Sequence, residues 1–157
     1  MVQKVVLYTH SAPETVRLGK HLGKLLQAGD VVALGGELGA GKTQLIKGLA
    51  AGIGIGNPHD ISSPSFMLVN EHDGKIPFNH IDLFRLKGEK EAEELGLDEY
   101  FEGKGVTAIE WAERIPSLLP QNLLLVHIRY TGKNARSIEI TAKGKRYEEL
   151  IDRLRID

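Results

Sequence analysis

Residues 31–43 read Val31-Val32-Ala33-Leu34-Gly35-Gly36-Glu37-Leu38-Gly39-Ala40-Gly41-Lys42-Thr43. The run opens with four apolar residues and no polar alternation, which is typical of a strand covered on both faces in a parallel sheet. A glycine-rich turn follows, and a helical pattern then runs from Lys42 to about Ala51. The order strand, glycine-rich turn and helix predicts an α/β fold around one buried parallel strand.

The glycine-rich turn matches the Walker A (P-loop) pattern in full from Gly36 to Thr43. Glycines let the backbone wrap around phosphates with its N–H groups pointing inward, at a helix N-terminus that favours anions. Lys42 would supply charge to the β- and γ-phosphates and Thr43 a hydroxyl to Mg²⁺. We expect Lys42 to be partly exposed in the empty loop. The predicted nucleotide-binding residues here are Leu38, Gly39, Ala40, Gly41, Lys42 and Thr43. An incidental glycine-rich turn is the weaker alternative, because the full match lies between the correct elements.

A P-loop also needs a carboxylate near the magnesium, usually at the end of a neighbouring strand. Glu110 ends the apolar run 106–109, and Asp82 ends 79–81. Either residue could instead be a solvated strand end or a helix cap. We rank Glu110 first because it follows the more apolar strand, with Asp82 as the second candidate for the metal. Trp111, next to Glu110, fits either the core or a stacking role.

The remaining candidate site residues lie in three other segments. Ser65, in Ser62-Ser63-Pro64-Ser65, is at the position of a first switch that senses the γ-phosphate, although Ser-Pro steps also form ordinary turns. We assign the nucleotide base to the loops that hold Ser11, Thr15 and Lys133. ATP is favoured over GTP because the chain has no Asn-Lys-x-Asp sequence. The six histidines have no metal-ligand spacing and are expected at the surface or in packing roles.

The rest of the chain favours one compact domain over residues 1–157. Its 157 residues include 20 Lys and Arg against 21 Asp and Glu, a net charge of −1 that disfavours nucleic-acid binding through electrostatics alone. The absence of Cys excludes disulfides and thiol chemistry. No apolar run approaches the roughly 18 residues of a membrane span, so we expect a cytoplasmic protein without a membrane partner. Glycine is abundant, with 18 residues.

The hydrophobic pattern predicts a three-layer α/β P-loop NTPase fold, with a largely parallel central sheet and antiparallel hairpin additions. Ser11 is the expected N-cap of the first helix, with Glu14 completing a capping box. Hairpins are expected across Asp73-Gly74 and across 131–136. The predicted strands are 5–8, 31–34, 66–71, 76–83, 105–111, 123–130 and 137–142. The predicted helices are 13–28, 42–51, 89–95 and 146–155, with another short turn at 97–101.

Four motifs together resemble the TsaE (YjeE) family, and the resemblance covers nearly the whole chain. The motifs are Gly36-Glu37-Leu38-Gly39-Ala40-Gly41-Lys42-Thr43, Ser63-Pro64-Ser65-Phe66, His80-Ile81-Asp82-Leu83-Phe84-Arg85-Leu86 and Ile109-Glu110-Trp111-Ala112-Glu113-Arg114. The family usually has Ser-Pro-Thr-Phe and Asp-Leu-Tyr-Arg in the second and third. Ser65 keeps the hydroxyl of that pattern, whereas Phe84 loses one.

The resemblance implies a P-loop ATPase of tRNA threonylcarbamoyladenosine biosynthesis. Such a protein binds ATP or ADP and Mg²⁺, hydrolyses ATP slowly on its own, and acts with the TsaB–TsaD heterodimer. It meets tRNA only indirectly, through that complex, and is not itself the threonylcarbamoyl transferase. The implied catalytic residues are Lys42, Glu110 and the switch residue Ser65.

Two other functions stay open at this point. A small-molecule or nucleotide kinase also uses a P-loop at this chain length, although the sequence contains no glycine-bounded lid with clustered Arg. A nucleotide-dependent interaction switch without turnover is the other alternative, since no residue is an unambiguous water-positioning base.

Overall fold

A computed structural model describes residues 3–36, 41–55 and 69–156 of the chain. The strands are β1 (Gln3–Thr9), β2 (Val31–Gly36), β3 (Val69–His72), β4 (Phe78–Asp82), β5 (Val106–Glu110), β6 (Leu123–Tyr130) and β7 (Arg136–Lys143). The helices are α1 (Ala12–Leu25), α2 (Lys42–Ile53), α3 (Glu89–Glu94), α4 (Asp98–Phe101) and α5 (Lys145–Ile156), with a 3-10 turn at Ala112–Arg114. Within these described ranges, no helix combines the length and apolar character needed to cross a membrane.

The strands form one sheet in the order β1-β7-β6-β2-β5-β4-β3. The central pairs β6–β2, β2–β5 and β5–β4 are parallel. The pairs β3–β4, β6–β7 and β7–β1 are antiparallel. This confirms the predicted largely parallel centre with hairpins added on either side. The first strand joins the outer edge of the β6–β7 hairpin, a place that the sequence did not determine.

Two apolar cores lie on opposite faces of the sheet. The larger packs α1, α2 and α5 against side chains such as Leu34, Ala108 and Val126. The smaller packs the region of α3, α4 and the 3-10 turn against Ala33, Ile81 and their neighbours. Because side chains alternate along a strand, Glu110 shares the α2 face with Ala108. Because β4 and β5 run parallel to β2, their carboxyl ends lie at the same edge of the sheet as the start of α2.

The first helix begins as the sequence predicts, with one difference in its cap. Ser11 is the N-cap, and its Oγ accepts a hydrogen bond from the Glu14 backbone N–H at 3.2 Å. The Glu14 carboxylate accepts from the backbone N–H of His10 rather than from that of Ser11. Pro13 occupies the first turn, where its missing N–H costs nothing. The helix ends at Leu25, three residues before the predicted end.

The helices α1 and α2 pack backbone against backbone through four glycines. A Cβ atom on Gly19 would lie 2.4 Å from the carbonyl oxygen of Leu45, and one on Gly48 would lie 2.2 Å from that of Val16. Gly23 and Gly52 repeat the arrangement one turn further along, with distances of 2.4 and 2.2 Å to backbone oxygens. The contacts advance together along both helices, so α1 and α2 run in the same direction. Their N-termini consequently lie at the same end of the sheet.

We expect Gly48→Ala to destabilise the protein by about 2 kcal/mol, since the added methyl group would clash with a backbone oxygen that no rotamer change can move. The gain in helix propensity, about 1 kcal/mol, is smaller than the packing cost. Gly88→Ala is the matched control, because Gly88 has an extended backbone and open space at its Cβ position. Urea denaturation measures both variants. Equal midpoints for the two would contradict the glycine-dependent crossing.

Candidate nucleotide site

Two glycines in left-handed conformations lie at the end of β2 and at the start of α2. Gly36 has φ +137°, and a Cβ atom there would lie 2.4 Å from the Ile128 carbonyl oxygen, so this position requires glycine for both conformation and space. Gly41 has φ +109° and is the N-cap of α2. No side chain in the described ranges caps this end of α2. The first N–H groups of a helix without a side-chain cap favour an anion. The predicted residues Leu38, Gly39 and Ala40 lie outside the described residues.

Lys42 is buried, contrary to our expectation of partial exposure. Only 4% of the residue is accessible. Its Nζ donates a hydrogen bond to the Gly36 carbonyl oxygen at 3.0 Å and lies 4.0 Å from the centre of the Trp111 ring. The expectation was wrong because Trp111 arrives from the end of β5, a distant segment that covers the lysine. Desolvation strengthens such a cation–π contact.

Trp111 connects Lys42 to a small aromatic cluster at the surface. Its backbone has φ +61°, the one left-handed conformation among the described non-glycine residues. Its ring centre lies 5.3 Å from that of Phe84, and the Arg114 guanidinium carbon lies 5.6 Å from the Trp111 ring. Arg114 also donates to the Leu86 carbonyl oxygen at 3.1 Å. The residue with this unusual backbone is thus the one whose ring lies against Lys42.

Glu110 and Asp82 lie side by side at the ends of parallel strands. They are register partners between β5 and β4, and Glu110 is also the partner of Leu34 in β2. Glu110 is 3% exposed, and its Oε2 lies 2.7 Å from Nε2 of His80, which is fully buried. Glu110 is therefore neither a solvated strand end nor a helix cap, the alternatives that the sequence allowed.

Asp82 has a structural role in addition to its place in the site. Its Oδ1 accepts a hydrogen bond from the Phe84 backbone N–H at 3.0 Å, which caps the turn after β4. Burial raises the pKa of the Asp82 carboxyl above its usual range, and the negative charge of Glu110 raises it further. The Phe84 N–H and the positive charge of Lys42 oppose this increase in the pKa.

The oxygen-bearing side chains at the ends of β4 and β5 and at the start of α2 are of the type that a hard cation such as Mg²⁺ prefers. Glu110 and Asp82 would supply carboxylate oxygens, and Thr43, in the first turn of α2, would supply a hydroxyl. No cluster of three or more His, Asp or Glu side chains able to hold a metal occurs among the described residues. A magnesium ion bound with a nucleotide does not need such a cluster, since it keeps waters and takes phosphate oxygens.

On the opposite side of Gly41, the structure brings Thr15 and Arg136 to the turn. A Cβ atom on Gly41 would lie 4.0 Å from Cγ2 of Thr15 and 3.8 Å from Nε of Arg136. Thr15 is buried, and its hydroxyl lies 2.8 Å from that of Thr9 at the end of β1. The Arg136 guanidinium carbon lies 4.3 Å from the centre of the Tyr130 ring. Thr15 and Arg136 border Gly41 on the side that we assign to the nucleoside, with Thr9 and Tyr130 packed against them.

Ser11 and Lys133 are the other two residues that the sequence predicts on the side of the nucleotide base. The Ser11 hydroxyl is engaged as the cap of α1. Lys133 lies exposed in the β6–β7 loop, the loop that leads into Arg136. Ser65, the predicted switch residue, lies outside the described residues.

A family model described as "Threonylcarbamoyl adenosine biosynthesis protein TsaE" matches residues 9–138. The chain belongs to the TsaE family. The "tRNA threonylcarbamoyladenosine biosynthesis protein TsaE" of Bacillus subtilis (strain 168) is 44% identical over 147 residues, covering 93% of this chain and 90% of the relative. A protein of the same name from Aquifex aeolicus (strain VF5) is 35% identical over 144 residues, covering 91% and 98%.

A solved structure supports the same family relationship. The crystal structure of YdiB from Bacillus subtilis superposes with a TM-score of 0.82 at 39% sequence identity, covering 98% of this chain and 95% of that one. The resemblance stated from the four motifs is therefore confirmed, and so is the predicted fold class.

Sequence reasoning about this TsaE family member gave no site role to Arg136 or His80. No local motif marks Arg136, because it reaches the site only through the pairing of distant strands. For His80 a signal was present: it lies in a run that places it two residues before Asp82 and therefore on the same face of β4. His80 has no partner at metal-ligand spacing in the sequence, so it was expected only at the surface or in a packing role.

We expect Asp82→Asn to make the nucleotide-free protein more stable at pH 7. A carboxyl whose pKa is raised by folding stabilises the protein when protonated, and this stabilisation is lost as pH rises through the folded-state pKa. The amide oxygen of asparagine can still accept the Phe84 N–H. The difference in thermal midpoint should therefore shrink as pH is lowered through the raised pKa of Asp82. The exposed Asp152→Asn serves as the control, and a difference independent of pH would contradict the assignment.

Proposed function

We propose that this protein is a magnesium-dependent ATPase of low intrinsic activity that acts in the biosynthesis of threonylcarbamoyladenosine in tRNA. The family supports the pathway. The observation that carries the ATPase activity is the start of α2, where left-handed Gly41 is the N-cap, no side chain of the residues that the structure describes caps the helix, and Lys42 follows. This end of the helix is suited to bind the phosphates of ATP.

Each residue of the site has a distinct part in this proposal. Lys42 leaves the Trp111 ring and the Gly36 carbonyl to contact the β- and γ-phosphates. Thr43 and Glu110 would hold the magnesium, with Asp82 as the second candidate carboxylate for the metal. Bound Mg²⁺ neutralises the charge that develops on the phosphates during transfer. Thr15 and Arg136 border the ribose and base, with Ser11 and Lys133 in the neighbouring loops.

Burial of Lys42 supports a low intrinsic rate. Before it can reach a phosphate, the lysine must give up a hydrogen bond and a cation–π contact. The Arg114 guanidinium, which lies against the same Trp111 ring as Lys42, is engaged with that ring and with the Leu86 carbonyl. A partner that reorders these groups, or supplies another charge, would accelerate hydrolysis.

The partner that we propose is the TsaB–TsaD heterodimer, with tRNA reached only through that complex. The ATPase would reset or regulate the transferase and would not itself transfer the threonylcarbamoyl group. The family relationship disfavours a small-molecule or nucleotide kinase. An interaction switch without turnover would use the same residues and differs only in the absence of hydrolysis.

Steady-state ATP turnover by the purified protein, alone and with TsaB–TsaD, tests the proposal. We expect slow turnover alone and a large increase with the heterodimer; arginine fingers contribute on the order of 10³-fold or more in other P-loop proteins. Lys42→Ala should lower turnover on the order of 10²-fold while the protein stays folded by circular dichroism. Lys47→Ala, further along α2, is the matched control.

The same assay separates the alternatives. Ser65→Ala should reduce the stimulated rate more than ATP affinity, since a switch hydroxyl responds to the γ-phosphate rather than to the base. Nucleotide binding without turnover, even with the heterodimer, would favour the interaction switch. A phosphorylated small-molecule acceptor would favour the kinase. Fast turnover by the lone domain that is unaffected by the partners would contradict the proposal.

A further inference from the structure

His80 is a polar residue at the centre of β4, in the interior of the protein. It is fully buried, between Phe78 and Ile81, which are buried as well. Its Nε2 lies 2.7 Å from Oε2 of Glu110. Its Nδ1 is buried and has no hydrogen-bond partner in the described part of the chain. A buried polar atom without a partner costs free energy, so stability alone does not account for a histidine at this position.

The contact with Glu110 does not remove that cost. A buried acidic side chain with a single polar partner is weak evidence that the pair stabilises the fold. Proteins with well-packed apolar residues of similar volume in place of such a pair are often at least as stable. Polar pairs kept under such conditions often orient groups in functional sites. The partner of His80 is one of the two carboxylates that face the start of α2.

The hydrogen bond from His80 holds one oxygen of the Glu110 carboxylate and leaves the other oxygen available. Oε2 of Glu110 faces the imidazole, whereas Oε1 accepts no hydrogen bond from any residue that the structure describes. With Glu110 ionised, Nε2 of the imidazole is the donor and Oε2 the acceptor. The rotation of the carboxylate about its last side-chain bond is thereby fixed, so that one particular oxygen remains for a further ligand.

We propose that His80 is a positioning residue that holds the Glu110 carboxylate in the orientation needed to bind the nucleotide-associated magnesium. This inference rests on the proposed function, since it concerns the same metal. It assigns His80 to the support of the metal site, where hydrogen bonds to ligands commonly change metal affinity by 10–100-fold. Asp82 differs from Glu110 in this respect, because its carboxylate is held by the backbone N–H of Phe84.

The test uses Mn²⁺ as the metal probe and ADP as the nucleotide. Free Mn²⁺ is measured by electron paramagnetic resonance while the ADP-saturated protein is titrated, and ADP affinity is measured separately in EDTA. His80→Leu removes the hydrogen-bond donor and fills the buried position with an apolar side chain. His80→Gln can place an amide N–H near the position of Nε2. His80→Asn has a shorter amide that stops short of Glu110 and is a second removal variant if the leucine variant does not fold.

We expect His80→Leu and His80→Asn to weaken Mn²⁺ affinity about tenfold or more and to leave ADP affinity in EDTA unchanged. His80→Gln should recover most of the lost affinity. In a Glu110→Gln background, the same substitutions should cause little further loss, because His80 acts through Glu110. A purely structural role would lower ADP affinity and Mn²⁺ affinity together.

Unchanged Mn²⁺ affinity in a folded removal variant would overturn the inference, as would equal losses with and without Glu110. Failure of the proposed function gives a different result. In that case the unmodified protein itself binds neither ADP nor Mn²⁺ with ADP, whereas failure of this inference alone leaves the unmodified protein binding both.

Discussion

The backbones of α1 and α2 touch along a line of four glycines, and the arrangement of the candidate site depends on that contact. Side chains at these positions would separate the two helices, because their Cβ atoms would fall within 2.4 Å of backbone oxygens. The close crossing keeps both helix N-termini at the same end of the sheet. It therefore brings Thr15 of α1 to the left-handed turn at Gly41, where α2 begins.

Charged side chains lie on the other side of Gly41. Lys42 is buried next to Trp111, while Glu110 and Asp82 end adjacent strands on the α2 face. Burial of the two carboxylates near one another is unfavourable, as the raised pKa of Asp82 indicates. A bound magnesium–nucleotide complex would supply a cation for the carboxylates and phosphates for the lysine. Placing these charges close together carries an electrostatic cost that the proposed ligand would relieve.

The sequence predicted what depends on local patterns. The Walker A spacing located Gly36, Gly41 and Lys42, and the apolar run before Glu110 identified a buried strand. The exposure of Lys42 was predicted wrongly, because Trp111 and Lys42 meet only through the parallel pairing of β2 and β5. The role of glycine was only partly recognised: the spacing of Gly19 with Gly23 and of Gly48 with Gly52 marks one face of each helix, but nothing local indicates that the two faces meet. Arg136 was missed for a similar reason, since it joins the site through β7.

The central claim is that the start of α2 binds nucleotide phosphates beside a metal held by Thr43 and Glu110. A crystal structure of the protein with Mg²⁺ and a non-hydrolysable ATP analogue tests it most directly. We predict phosphates at the N-terminus of α2, Lys42 moved from Trp111 to the β- and γ-phosphates, and Glu110 nearer to the magnesium than Asp82. A nucleotide bound elsewhere, or a magnesium that contacts Asp82 with Glu110 remote from the ion and its waters, would contradict the account.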